Sequence, residues 1–145
     1  MANRAAYERE RTALQAVILL MAGVPFGLGG PLLARGVEAM NLIFRLDIPA
    51  VAVLDSNLRF LAAAFISMGV MDIWIAMGVE RRGIPLRISC GGTLLGVLSR
   101  LISIVQVGPP SAFVSILIFA EFSRVFLIFW QARIERLARE LGDIT

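Results

Sequence analysis

The sequence predicts an all-α membrane protein. It reads as four transmembrane helices in an up-down-up-down bundle, with a short amphipathic helix on the outer side between spans one and two. Three observations predict this. Hydrophobic residues make up 58% of the 145 and charged residues only 17%, below the roughly 25% charged of soluble domains. Four long apolar runs follow one another, and a helix needs about 20 apolar residues to cross a bilayer. Arginines gather at the ends of those runs, as topology determinants do.

The spans are expected at about 12–33, 57–79, 87–107 and 111–132, within one domain covering 1–145. Barrel strands would be shorter and would alternate in polarity, so length selects helices. Span one, in the stretch "GVPFGLGGPLL", holds Pro25, Gly27, Gly29, Gly30 and Pro31. Pro25 removes a backbone donor and predicts a kink. A broken helix lining a cavity is the alternative. The long apolar centre and the absence of an A-x-A site argue for a retained span rather than a cleaved signal peptide.

Between spans one and two, Val37, Met40, Ile43, Phe44 and Leu46 fall near one helical face and Glu38, Asn41 and Arg45 on another. That pattern predicts a surface helix capping the bundle. In "LDSNLRF", Asp55 or Ser56 reads as the cap of span two. Spans three and four are joined only by Gly108-Pro109-Pro110, which makes them antiparallel neighbours. The stretch Gln131 to Leu141 alternates charges with Ile134, Leu137 and Leu141, and reads as a helical continuation of span four.

Arginine counting sets the orientation. Nine arginines (Arg4, Arg9, Arg11, Arg81, Arg82, Arg87, Arg133, Arg136 and Arg139) lie on one side, against Arg35 and Arg45 on the other. Both termini are expected in the cytoplasm, with the chain spanning a bacterial inner membrane. The net charge of +3 is spread over span ends, so it gives no nucleic-acid footprint. The chain has no His and one cysteine, Cys90. That set predicts no metal, no cofactor, and no Ser/His or Cys/His catalysis. A non-enzymatic protein is expected.

Five ionisable groups interrupt the apolar runs: Arg59, Asp72, Arg100, Glu121 and Arg124. Each costs roughly 2.5–3.5 kcal/mol at mid-bilayer unless paired, so such groups face the protein interior and mark function. Counting from the outer turn at 1.5 Å per residue, Arg100 lies roughly 10 Å deep and Glu121 roughly 15 Å. Arg124 and Asp72 lie roughly 20 and 22 Å deep. Depth therefore predicts an Arg100–Glu121 contact across the hairpin, with Arg59 joining from above and Asp55 at the outer mouth. Asp72 and Arg124 share the inner level. If Asp55 stays apart, the outer group keeps surplus positive charge that an anionic headgroup or small apolar anion would complete. In span three, Gly92, Gly96, Ser99 and Ser103 form a small-residue stripe for helix packing. The expected neighbour is a helix of the same chain, and a homodimer seam is the alternative.

At "LDSNLRFLAAAF", "GGTLLGVLSRLISI" and Glu121 the chain resembles a family of small four-span bacterial membrane proteins catalogued as a domain of unknown function, number 4345. The resemblance covers most of the chain. It implies a four-helix membrane bundle with Arg59, Arg100 and Glu121 as signature positions, and it brings no activity. The expected function is an integral membrane accessory or scaffold protein, with a membrane-protein partner, a second copy, or an anionic lipid or small ligand at the buried Arg/Glu cluster. The alternative is a small transporter or proton-coupled exporter using Glu121 or Asp72.

Overall fold

A computed structural model of the chain describes residues 4–144. Those residues form six helices and no strand: α1 (Arg4–Arg35), α2 (Val37–Phe44), α3 (Ala52–Ala76), α4 (Gly83–Val107), α5 (Ala112–Ser123) and α6 (Val125–Glu140). Four segments are long and apolar enough to cross a membrane: α1, α3, α4 and the run from Ala112 to Glu140. The helical surface carries side chains such as Val105, Phe119 and Phe60 at 86%, 75% and 72% exposure. Water would not tolerate so continuous an apolar exterior, whereas acyl chains suit it. The protein is a multi-pass membrane protein.

The chain forms two compact units, Ala16–Ala76 and Met1–Gln15 with Met77–Thr145. In the first, α1 and α3 approach closely where residues are small. A Cβ added at Gly29 would lie 2.9 Å from Ile66 Cγ1 and 3.2 Å from the Ala62 carbonyl. One at Gly69 would lie 3.0 Å from both Phe26 and Pro25. Gly29 of span one and Gly69 of span two therefore serve helix packing, while Gly23, Gly27 and Gly30 face open space. Helix α1 runs unbroken through Pro25 and Pro31, so the broken-helix alternative does not hold. Short α2 packs on α3 with Val37 and Ala39 buried. It ends at Phe44 because Arg45 turns left-handed, with φ 55°. Asn41 then closes the following loop, donating to the Ile48 carbonyl at 2.9 Å and accepting from the Ile48 amide at 3.1 Å. Leu46, expected on the helix, lies beyond it.

In the second unit, α4 packs against α5 and α6. Its core includes Leu14, Val79, Leu86, Cys90, Val97, Leu127 and Ile134. Gly108, with φ 112°, ends α4 ahead of the two prolines. The continuation of span four into a charged helix is present as α6, but the span itself breaks at Arg124. There the Arg124 amide reaches back to Glu121 O and the Leu127 amide to Arg124 O. These are three-residue steps in place of the usual four. The Ser123 hydroxyl bonds Ala120 O at 2.7 Å, a back-bond that bends helices. Ion pairs tie the start of α1 to the C-terminal segment, Arg133 with Glu10 and Arg4 with Asp143, and to the loop before α4, Arg11 with Glu80; Arg139 pairs with Glu135 within α6.

Candidate functional site

Arg59 and Asp55 are one turn apart on α3, and they join the ends of two other helices. Arg59 Nε donates to Asp55 Oδ2 at 2.7 Å. Its Nη1 donates to the carbonyls of Leu33 and Ala34, each at 2.8 Å. Those carbonyls belong to the last turn of α1, where no intrahelical donor remains and the dipole is negative. Asp55 Oδ1 accepts the Val37 amide at 3.0 Å, at the electropositive start of α2. Each charge therefore meets the helix end of opposite sign.

Gly36 makes this junction possible. Its backbone stands at φ 56° and ψ −128°, a region open to glycine. A Cβ there would lie 1.8 Å from Asp55 Oδ1. Nearby, Arg35 hydrogen-bonds Glu38 and holds that carboxyl below its ordinary range.

The expectation for Asp55 and Ser56 needs correcting. Helix α3 begins at Ala52, so both residues lie inside the helix, Asp55 in its first turn and Ser56 just after it, rather than ahead of it. Asp55 caps α2 instead of its own helix. It also joins Arg59, so the surplus positive charge expected at the outer mouth is balanced.

Arg100 and Glu121 meet across the short hairpin as their depths predicted. Arg100 Nη2 donates to Glu121 Oε1 at 3.1 Å, and Nε lies 3.1 Å from Oε2. The second contact is charge attraction without hydrogen-bond alignment, because Oε2 has no hydrogen-bond partner among the described residues. The pair is only half-buried, with Arg100 at 38% and Glu121 at 21% side-chain exposure. Helix α5 has no buried residue.

The stripe beside Arg100 is also open. Gly92, Ser99 and Ser103 are exposed and Gly96 is half-exposed. A Cβ on Gly92 or Gly96 would meet nothing within 4 Å. Neither glycine therefore has a close neighbour. Ser99 turns its hydroxyl back to Gly96 O at 2.8 Å, so the stripe carries no dangling hydroxyl at that point.

Asp72 and Arg124 are both buried, at 0% and 7% exposure. Arg124 Nη2 donates to Ser89 Oγ at 3.1 Å, and the Cys90 thiol donates to Arg124 O at 3.4 Å. Helix α4 thus supplies two polar groups to the break in span four. Sequence reasoning did not single out Ser89, Gly36 or Gln131. Gln131 is fully buried, and its Nε2 donates to Val79 O at 3.1 Å and Glu135 Oε2 at 3.2 Å. It lies against Gly83, where a Cβ would sit 2.8 Å from the amide. Only its polar character within "FWQAR" hinted at this role. No group of three or more His, Cys, Asp or Glu suited to a metal occurs among the described residues.

Neither curated proteins nor solved structures gave a match to the chain. A family model described as "Domain of unknown function (DUF4345)" matches residues 13–132. That match takes in α3, α4, α5 and most of α1, with every interior charge described above, and the chain belongs to this family.

Proposed function

We propose that the protein is a non-enzymatic scaffold or accessory protein of a bacterial inner membrane, with both termini in the cytoplasm, and that its working surface is the face formed by α4 and α5. The observation that carries this reading is the half-exposed Arg100–Glu121 pair. Ionised groups within apolar spans face protein or water rather than lipid, and an acyl environment leaves them poorly solvated. The exposed side of this pair calls for cover from outside the chain. A protein partner suits it better than an anion, because Arg100 is matched by Glu121 and Arg59 by Asp55. Neither arginine is left in surplus.

Native mass spectrometry after gentle extraction tests the proposal. The expected result is the chain with a protein partner or a second copy. A bound anionic lipid in place of any protein would transfer the surface to lipid binding. A bare monomer would overturn the reading.

A transporter is the second reading, and the break in span four beside buried Arg124 favours it, since substrate sites in transporters form at broken helices. Flux measurements in vesicles on Glu121→Gln and Asp72→Asn would decide. Unchanged flux in both removes these carboxylates from any transport mechanism.

A further inference from the structure

We infer that the partner on the α4/α5 face is a second copy of this chain, related by a two-fold axis along the membrane normal and passing beside the Arg100–Glu121 pair. The inference rests on the scaffold reading and names the occupant of its surface.

Charge complementarity carries the argument. The pair bridges laterally from α4 to α5, with its positive end on one helix and its negative end on the other. Copies of one chain insert in the same orientation, so a symmetric dimer in a bilayer has its axis along the normal. A half-turn about that axis reverses any lateral vector and leaves depth unchanged. Arg100 of each copy then faces Glu121 of the other. Four groups close into an alternating ring in which each charge has two opposite neighbours. A different protein would need a carboxylate and a cation at the same depth and in reversed order, whereas a second copy supplies them by symmetry.

The surrounding surface fits the same geometry. Helix α5 has no buried residue, although it carries Glu121. On α4, Gly92 and Gly96 precede Arg100 at steps of four and lie on its face. Space beside both glycines is open, so a partner backbone can come close enough for guanidinium and carboxylate to meet. Ion pairing directs the contact, and the small residues remove the steric obstacle to it.

Two experiments on the full-length protein test the inference. In a Cys90→Ser background, Ser99→Cys is cross-linked in native membranes, with Leu98→Cys, on another side of α4, as the control. The expected result is a species of twice the chain mass for Ser99→Cys and at least a tenfold weaker one for Leu98→Cys. Ser99→Cys joined to a different protein, with no doubled mass, would overturn the two-fold dimer and leave the scaffold reading standing. Equal cross-linking at both positions would also overturn the dimer. No adduct at either position, together with a bare monomer in native mass spectrometry, would overturn both readings.

The second experiment uses Arg100→Glu and Glu121→Arg, carried on separately tagged copies. Each variant alone is expected to lose the doubled species. Co-expressed, the two restore opposite charges only across a mutual contact, so recovery of a mixed dimer is the expected signature. Failure of the mixed pair to associate, while both variants are present in the membrane, would overturn the ring.

Discussion

Gly36 sits where the chain turns from one helix to the next and where Asp55 presses against its backbone. Gly36→Ala should therefore act twice, through a backbone conformation that disfavours a Cβ and through collision with a carboxylate. A residue held in such a region costs about 1–3 kcal/mol, and the thermal midpoint in detergent should fall accordingly. Arg45 is the internal comparison, being left-handed at φ 55° without being glycine. Arg45→Gly relieves that conformation while adding freedom to the unfolded chain, so it should change stability by no more than about 1 kcal/mol. A Gly36→Ala protein as stable as Arg45→Gly would mean that the α1–α2 junction is not held by Asp55. At this scale the sequence was half legible. That Asp55 would cap backbone amides follows from its chemistry. Which amides it caps depends on how the loop brings Val37 back to α3, and a local capping rule contains nothing about contacts 18 residues away.

The helices themselves were legible from hydropathy, and their irregularities were not. Span one holds two prolines, and α1 is continuous through both. Span four has neither proline nor glycine between Ala112 and Glu140 and is the one that breaks. The break combines the local Ser123 back-bond with tertiary partners, namely the Cys90 thiol on the Arg124 carbonyl and Ser89 on the Arg124 guanidinium. Cys90 is fully buried, and a thiol in such surroundings is unreactive. A membrane-permeant maleimide should label it slowly in the native protein and rapidly after denaturation, as followed by mass shift. Fast native labelling would show that α4 and the break separate readily. Close packing of α1 on α3 gives a second test at this scale. Gly69→Leu overfills the contact with Phe26 and Pro25 and should cost about 1–3 kcal/mol. Gly91→Ala, with open space around it, should be neutral or stabilising by up to about 1 kcal/mol. The two variants separate packing from helix propensity in one melting experiment.

For the whole molecule, depth along a span was a better guide to partners than position at its mouth. Arg100 and Glu121 could be paired beforehand because a three-residue turn fixes the register of the two helices that carry them. Arg59 could not, because its partners lie on α1 and one turn back along α3. Those contacts follow from the path of the chain between α1 and α3. Arginine placement gives the remaining expectation, which concerns the molecule in its membrane. Nine arginines near the termini, in the 77–82 loop and in the first turns of α4 oppose Arg35 and Arg45 around α2. Short flanking segments rich in arginine stay on the cytoplasmic side. Ion pairing at that end does not cancel the bias, because the retention rule counts basic residues rather than net charge. Single cysteines in a Cys90→Ser background report the sidedness directly. Pro109→Cys lies in the short α4–α5 turn, and Glu140→Cys lies at the end of α6; both positions are exposed. An impermeant maleimide added to intact cells should label Pro109→Cys and leave Glu140→Cys unmodified, and inverted vesicles should reverse the pattern. Labelling of Glu140→Cys from outside would place the termini opposite to the arginine bias. It would leave the Arg100–Glu121 pair and its symmetric contact unaffected, because a two-fold axis along the normal operates the same way in either orientation.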